Sequence, residues 1–412
     1  MYIKEKIRNL ASTVEKEITP YFNRIDEIAR FNQEKVLDAF IKNRVGENCL
    51  NPSTGYGYGD VGRETLEAIY ADVFGAEDAL VRHNIVNGTH CLTISLFAVL
   101  RPGDTLLAAT GKPYDTLEEV IGIAGNSGGS LKDFGVSYKQ VDLIDGDVDL
   151  EGITRALTPD VKAVILQRSK GYDWRDTLSC EKLGKAISHI KSINPDVCCI
   201  VDNCYGEFAE TTEPSQHGAD LVVGSLIKNP GGSLAQSGGY IVGKKEYVEL
   251  AAYRQTAPGI GKECGATLGQ NRYMYQGLFM APHIVAQAIK SAVFAGALMQ
   301  KLGYEVNPKP EANHYDIIQA IKFNDKDKLI KFIQGIQKAS PVDSYAIPMP
   351  WDMPGYQHEV IMAAGTFVSG ASIELSADAP IKPPYVGFMQ GGITYESARL
   401  AIMNAAAEIT ED

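Results

Sequence analysis

Seven short β-rich runs punctuate the chain: Ala79–His83, Thr105–Thr110, Val136–Val141, Ala163–Gln167, Val197–Asp202, Leu221–Ser225 and Tyr240–Val242. Helical patterns separate many of them, as at Thr89–Leu100, Tyr114–Ala124 and Cys180–Ile193. Apolar runs without polar alternation need cover on both faces, and intervening helices supply it. The rhythm predicts an α/β fold with one large, mostly parallel seven-stranded sheet. Ligands of such sheets bind beyond the carboxyl ends of the strands.

Two reactive side chains stand at such ends. Asp202 closes CCIVD, and Lys228, 26 positions later, follows GADLVVGSLI and precedes a proline and two glycines. A carboxylate directly after four apolar residues needs a partner; its other use is to cap the segment NCYGEFAE. Lys228 read in isolation is a surface lysine in a turn. Read together, the two residues are what pyridoxal 5′-phosphate (PLP) requires. The lysine forms the Schiff base, and the carboxylate keeps the pyridine nitrogen protonated. Ser225, three residues before the lysine, is placed to donate to a phosphate. Asn87-Gly88-Thr89-His90 opens a helix after an apolar strand, so its free N–H groups and dipole suit the same phosphate. Tyr114, in GKPYDTLEE, follows the run LLAAT and is placed to stack on a pyridine ring.

At 412 residues the chain is long enough for one large domain and a smaller one. The net charge of −12 argues against a nucleic-acid backbone as partner. No run approaches ~20 uninterrupted apolar residues, and MYIKEKIRNLASTVEKEI has no signal-peptide core; a cytoplasmic, non-membrane protein is expected. The seven cysteines contain no CxxC pair and read as reduced, mostly buried thiols. The seven histidines contain no HxxxH or HExxH spacing, so no metal site is expected.

Two amphipathic helices, Ile3–Lys16 and Asn23–Asn43, are expected to open the chain. Gly57-Tyr-Gly-Asp-Val-Gly62 matches GxGxxG formally, but ENCLNPST before it is not a buried strand, so no dinucleotide site follows. A long apolar helix is expected near Leu278–Leu302, and Asn307-Pro-Lys-Pro310 marks a boundary. Beyond it, a helix near Asp325–Lys338, two β-rich runs in EVIMAAGTFVSGASIELSAD and a helix from Tyr395 suggest a small α+β domain.

VDNCYG resembles the VDN-[ST]-Y signature, and GADLVVGSLIK the cofactor-lysine motif, of the Cys/Met-metabolism family of fold-type-I PLP enzymes. YGYGDVGRE, VNGTH, QRSKGYDWR, SLIKNPGG and FMQGGITYE look most like its methionine γ-lyase-like, or aluminium-resistance, branch. The resemblance implies a PLP-dependent transferase-like fold: an N-terminal subunit-contact arm (1–60), a PLP-binding domain (61–277), a linker helix (278–306) and a small domain (307–412). It implies a homodimer or a dimer of dimers with shared active sites. Lys228 would carry the cofactor and Asp202 its ring nitrogen. Gly88, Thr89 and His90, with Ser225, would hold the phosphate, and Tyr114 the ring face. Tyr58 or Tyr56, with Arg63, would reach the neighbouring subunit's phosphate. The family's C-terminal arginine for the substrate carboxylate has no counterpart before Gly391-Gly392, which leaves Arg168, Arg175 and Arg399 as candidates. The implied activity is a carbon–sulfur lyase acting on methionine, cystathionine or cysteine. Other PLP amino-acid chemistry, or a PLP-binding stress protein with little catalysis, is the alternative.

Overall fold

The computed structural model describes residues 3–410 except Ser127, Pro354, Gly355 and Gln357. Met1, Tyr2, Glu411 and Asp412, at the ends of the expected first and last domains, lie outside the described residues. The opening segment corrects one expectation. In place of two helices it forms one, α1 (Glu5–Lys42), which continues through Pro20. An interior proline removes a backbone hydrogen bond and costs about 3 kcal/mol, and tertiary packing offsets it here. Ile7, Ala11, Val14 and Ile18 before the proline, and Ile25 and Val36 after it, bury one face against a second long helix described below.

After α2 (Val61–Phe74), opened by Asp60 accepting the Arg63 N–H, the strand–helix rhythm begins. The elements are β1 (Asp78–Arg82), α3 (Gly88–Val99), β2 (Thr105–Ala108), α4 (Asp115–Ile121), β3 (Ser137–Gln140), α5 (Leu150–Ala156) and β4 (Val161–Gln167). Then come α6 (Cys180–Ile193), β5 (Cys198–Asp202), β6 (Leu221–Ser225), β7 (Gly239–Gly243) and α7 (Lys245–Gln255). All seven expected runs are strands of one sheet, ordered β1-β7-β6-β5-β4-β2-β3. The pairings from β6 through β5, β4 and β2 to β3 are parallel, while β7 runs antiparallel to both β6 and β1. Successive residues feed opposite cores: Leu106, Ile165, Ile200 and Val223 one face, Leu107, Val164, Val201 and Val222 the other. This is why the strands read as unbroken apolar runs.

The second long helix, α8 (Asn271–Lys301), begins ahead of the expected Leu278. It is long and apolar enough to cross a membrane, yet 72% of its most apolar window is buried inside the protein. The small domain follows as β8 (Glu305–Asn307), β9 (Ile318–Lys322), α9 (Lys326–Lys338), β10 (Val360–Ala363), β11 (Ser376–Pro380), β12 (Val386–Gln390) and α10 (Tyr395–Ile409). Its five strands form an antiparallel sheet ordered β10-β11-β12-β9-β8, and α9 and α10 pack together beside it. All seven cysteines are free, and all but Cys264 are buried.

One close approach fixes the loop after Lys228. A Cβ on Gly277 of α8 would lie 2.2 Å from the Gly231 carbonyl oxygen, and a Cβ on Gly232 would lie 2.3 Å from the Gly277 oxygen. Backbone therefore rests on backbone, which only glycine allows. Gly277→Ala is expected to lower stability by about 1–3 kcal/mol in denaturant unfolding, because neither main chain can retreat. Gly128→Ala, where a Cβ meets open space, should change it by less than about 0.5 kcal/mol.

Candidate active site

A cavity of about 220 Å³ lies beyond the carboxyl ends of β4, β5 and β6. One end is the start of α3. The Asn87 side chain accepts the His90 N–H at 2.9 Å, while the first N–H groups of the helix have no carbonyl partner within it. A Cβ on Gly88 would come 3.1 Å from Cys204 Sγ and 3.8 Å from Ser225 Cβ, so a side chain there would crowd this corner. Ser225 is buried; its hydroxyl oxygen accepts a long bond from the Ile227 N–H, 3.4 Å. Exposed N–H groups, a helix dipole and a hydroxyl around a vacant corner suit a phosphate.

Asp202 and Lys228 meet in the same cavity. Asp202 Oδ1 accepts the Cys204 N–H at 3.1 Å. Burial raises this carboxyl above the ordinary aspartate value, although the Lys228 charge pulls the other way. The Lys228 ammonium sits 4.1 Å from the centre of the Tyr205 ring. Burial opposes its charge, but the acidic groups of Cys204, Tyr205, Asp202 and Glu207 outweigh burial and hold it above the ordinary lysine value.

The wall facing the small domain is aromatic. The Tyr114 and Tyr356 hydroxyls lie 2.7 Å apart. Tyr172 packs on both rings, at centroid distances of 6.3 Å and 5.9 Å, and donates its hydroxyl to Asp378 Oδ2 at 2.8 Å. Burial pushes this carboxyl up to about 6, against the lowering effect of the Tyr172 and Gln390 side chains. Burial likewise raises Tyr114, with further contributions from Tyr205, Tyr356 and Asp378, so its phenol is protonated at neutral pH.

The fold thus gathers Gly88, Thr89, Tyr114, Asp202, Ser225 and Lys228 around one cavity. It does not bring the other candidates there. The His90 side chain turns back to accept the Val86 N–H at 3.1 Å. The Arg63 guanidinium donates to the Gly57 and Gly265 carbonyls, both at 2.7 Å, while Tyr56 and Tyr58 stack on each other at the surface, 5.5 Å apart. Two carboxylate-clamp expectations are corrected. Arg168 is fully buried and consumed by Glu210, Glu213, Asn203 and the Gly206 carbonyl. Arg399 lies on α10, paired through two nitrogens with Glu15 of α1. Arg175 donates to the carbonyls of Arg168, Ser169 and Asp176, and among the described residues its Nε has no hydrogen-bond partner.

Sequence reasoning missed Tyr172, Tyr205, Tyr356 and Asp378. The first two sit inside motifs already singled out, QRSKGYDWR and VDNCYG. Tyr356 and Asp378 lie over 120 residues after Lys228 and carry no local signal.

A family model for methionine gamma-lyase matches residues 7–410. The chain belongs to the methionine gamma-lyase family. The curated protein YnbB of Bacillus subtilis, itself uncharacterized, is 51% identical over 409 residues, covering 99% of this chain and 97% of that one. A carbon-sulfur lyase involved in aluminum resistance from Clostridium novyi is 50% identical, with a TM-score of 0.96, covering 99% of this chain and 97% of that one. A candidate cystathionine beta-lyase involved in aluminum resistance from Listeria monocytogenes is 51% identical, with a TM-score of 0.96, covering 98% of this chain and all of that one. The fold is that of fold-type-I PLP enzymes, and the family's cofactor is PLP. The groups around the cavity are of the kinds that PLP needs: a helix start and a hydroxyl suit a phosphate, a buried carboxylate a protonated ring nitrogen, and a lysine amine an aldehyde carbon.

Two expectations follow. Arg168→Met should cost about 3–5 kcal/mol in urea unfolding, since it strands buried carboxylates; Arg399→Met, which breaks a half-exposed pair, should cost less than about 1 kcal/mol. Asp378→Asn should show a pH-dependent gain. The wild-type carboxyl titrates near 6 in the fold against an ordinary 3.8, so its contribution is present below about 3.8 and lost as pH rises through about 6. Asparagine has no such loss. The variant should gain roughly 2–3 kcal/mol relative to wild type between pH 4 and 8, read from unfolding curves at both.

Proposed function

We propose that this protein is a PLP-dependent carbon–sulfur lyase of the cytoplasm, which cleaves a sulfur-containing amino acid to a thiol, ammonia and a 2-oxo acid. Methionine, cystathionine and cysteine are the substrate candidates. The observation that carries the reading is the convergence of Lys228, Asp202 and the Tyr114–Tyr356 hydroxyl pair on one cavity. Bound PLP supplies an electron sink for the negative charge left at the substrate α-carbon. Lys228, which would hold the cofactor through its amine, is also the group that would take the substrate α-proton. Asp202, held at Oδ1 by the Cys204 N–H, keeps the opposing charge in place at the ring nitrogen. Tyr114 carries a phenolic proton at neutral pH and is the acid for a departing thiolate. The Tyr356 hydroxyl, 2.7 Å away, orients that proton.

The Tyr56–Arg63 loop is outside its own chain's cavity, and its exposed tyrosines support a role across a homodimer, or dimer-of-dimers, contact. Arg175 is the remaining arginine candidate for the substrate carboxylate: it holds the Ser169 carbonyl at 2.6 Å, and Ser169 lines the cavity.

Lys228→Ala is expected to abolish turnover and leave PLP removable by dialysis; full activity in that variant sinks the mechanism. Tyr114→Phe should lower kcat by about 10²–10⁴-fold, the usual contribution of a positioned acid. Product analysis with the three candidates is the direct test. Absence of thiol (hydrogen sulfide, in the case of cysteine) and 2-oxo acid from all of them, with PLP still bound, rules out the lyase reading.

A further inference from the structure

A second cavity, of about 260 Å³, lies between α1, α8 and the segment that follows β5, and shares no lining residue with the PLP site. Its body is apolar: Ile25 and Ile28 of α1, Ala286, Ile289 and Val293 of α8, and Phe208. Its polar end is formed around a single carbonyl. Arg24 Nη2 donates to the Ala312 oxygen at 2.9 Å, and His314 Nδ1 lies 3.3 Å from the same oxygen. Burial holds His314 down to about 4, so the imidazole is neutral and Arg24 is the cation of this end. Arg24 is half-buried; among the described residues it has no carboxylate within ion-pair range and one hydrogen bond, to the Ala312 carbonyl, and its guanidinium carbon lies 6.0 Å from the centre of the Tyr21 ring. Glu210, which also lines the cavity, is paired with Arg168 and accepts the Cys180 N–H, and Asp26 is paired with Lys290.

An apolar chamber ending in one guanidinium is the complement of a small molecule with an apolar body and one carboxylate. Size narrows the class. A cavity of roughly 150 Å³ admits benzene, so this one takes about ten non-hydrogen atoms. We propose that the α1–α8 cavity is a binding site for a small apolar monocarboxylate, with Arg24 pairing the carboxylate and Phe208, Ala286 and Ile289 enclosing the body.

One stretch of chain serves both sites. Phe208–Thr211 line the cavity, and Tyr205, three residues before Phe208, lines the other one beneath Lys228. Tyr205 and Phe208 both hold positive φ, 75° and 61°, a conformation that non-glycine residues keep only when their surroundings impose it. Those surroundings span both sites. The Asn32 amide donates to the Phe208 and Glu210 carbonyls, Asn229 to those of Tyr205 and Glu207, and Arg168 to that of Gly206. A ligand pressing on Phe208 therefore bears on the chain that carries Tyr205, and occupancy should register at the cofactor.

Phenylacetate is a suitable probe: it has the size, and without an amine it cannot react with PLP. Titration calorimetry on the PLP-loaded protein should show saturable binding at one site per chain. Phenylacetamide, its neutral isostere, should bind at least about tenfold more weakly, as the loss of a charge-assisted contact requires. Arg24→Gln should erase that preference. Ala286→Phe, which fills the chamber, should abolish binding of both; if it fails to fold, Arg24→Gln alone decides. Phenylacetate should also shift the visible absorption of bound PLP in the wild type and not in Arg24→Gln. Absence of saturable binding at millimolar phenylacetate overturns the proposal. So does binding with the same acid-over-amide preference in Arg24→Gln, which would place the ligand elsewhere. Binding that requires Arg24 but leaves the PLP spectrum unchanged upholds the site and overturns the coupling. None of these outcomes depends on which amino acid the PLP site cleaves.

Discussion

A single buried guanidinium holds the working end of this protein together. Arg168 follows the last residue of β4 and has no solvent exposure. It reaches across the end of β5 to Asn203, the Gly206 carbonyl, Glu210 and Glu213. A charge in that environment is tolerable only when each donor is met, so its partners have little freedom. They lie in the eleven residues after Asp202, the segment that carries Cys204 and Tyr205 into the cavity. The placement of Asp202 opposite Lys228 follows from strand pairing, but the shape of the chamber between them follows from what Arg168 pins. The same arginine therefore has a role quite different from substrate binding, and its charge is spent before any ligand arrives.

The second constraint is mechanical. The loop after Lys228 lies against α8 with no side chain between them, Gly231 and Gly232 against Gly277. Because α8 packs along α1 on one side and contacts the small domain's β9 on the other, the lysine loop is clamped to the element that joins the two sheets. The aromatic wall completes the link: Tyr172 of the large domain is bonded to Asp378 of the small one, and Tyr114 to Tyr356. The protonation state of this wall is set by burial more than by any partner charge, which leaves its phenols neutral and able to donate at physiological pH.

Much of the large domain was legible along the chain. Parallel strands buried on both faces must be apolar at every position, so Val197–Asp202 and Leu221–Ser225 announce themselves without any alignment. Asp202 and Lys228 were legible for the same reason: charged residues ending such runs have few bland explanations. The small sheet was harder to read. β8, β9 and β12 are short and antiparallel, and half of their signal lies in partners distant in sequence. The break expected near Pro20 failed because propensity is a local quantity, whereas the burial of Ile18 and Ile25 against α8 is not.

The sequence by itself determined the doubly covered sheet, the order of its strands and helices along the chain, and the lysine–carboxylate pair at the strand ends. Each of these depends on neighbours in the chain or on the period of a strand or helix. Only the tertiary structure decided which arginines are free. Arg168, Arg175 and Arg399 look alike as letters, yet one is a buried hub, one is folded onto backbone carbonyls and one is paired with Glu15 from the far end of the chain. It also brought Tyr356 to Tyr114 across 242 positions, and set Arg24 beside the Ala312 carbonyl across 288. Whether a charge is available is a property of what surrounds it, and that is fixed by packing between segments the sequence holds far apart.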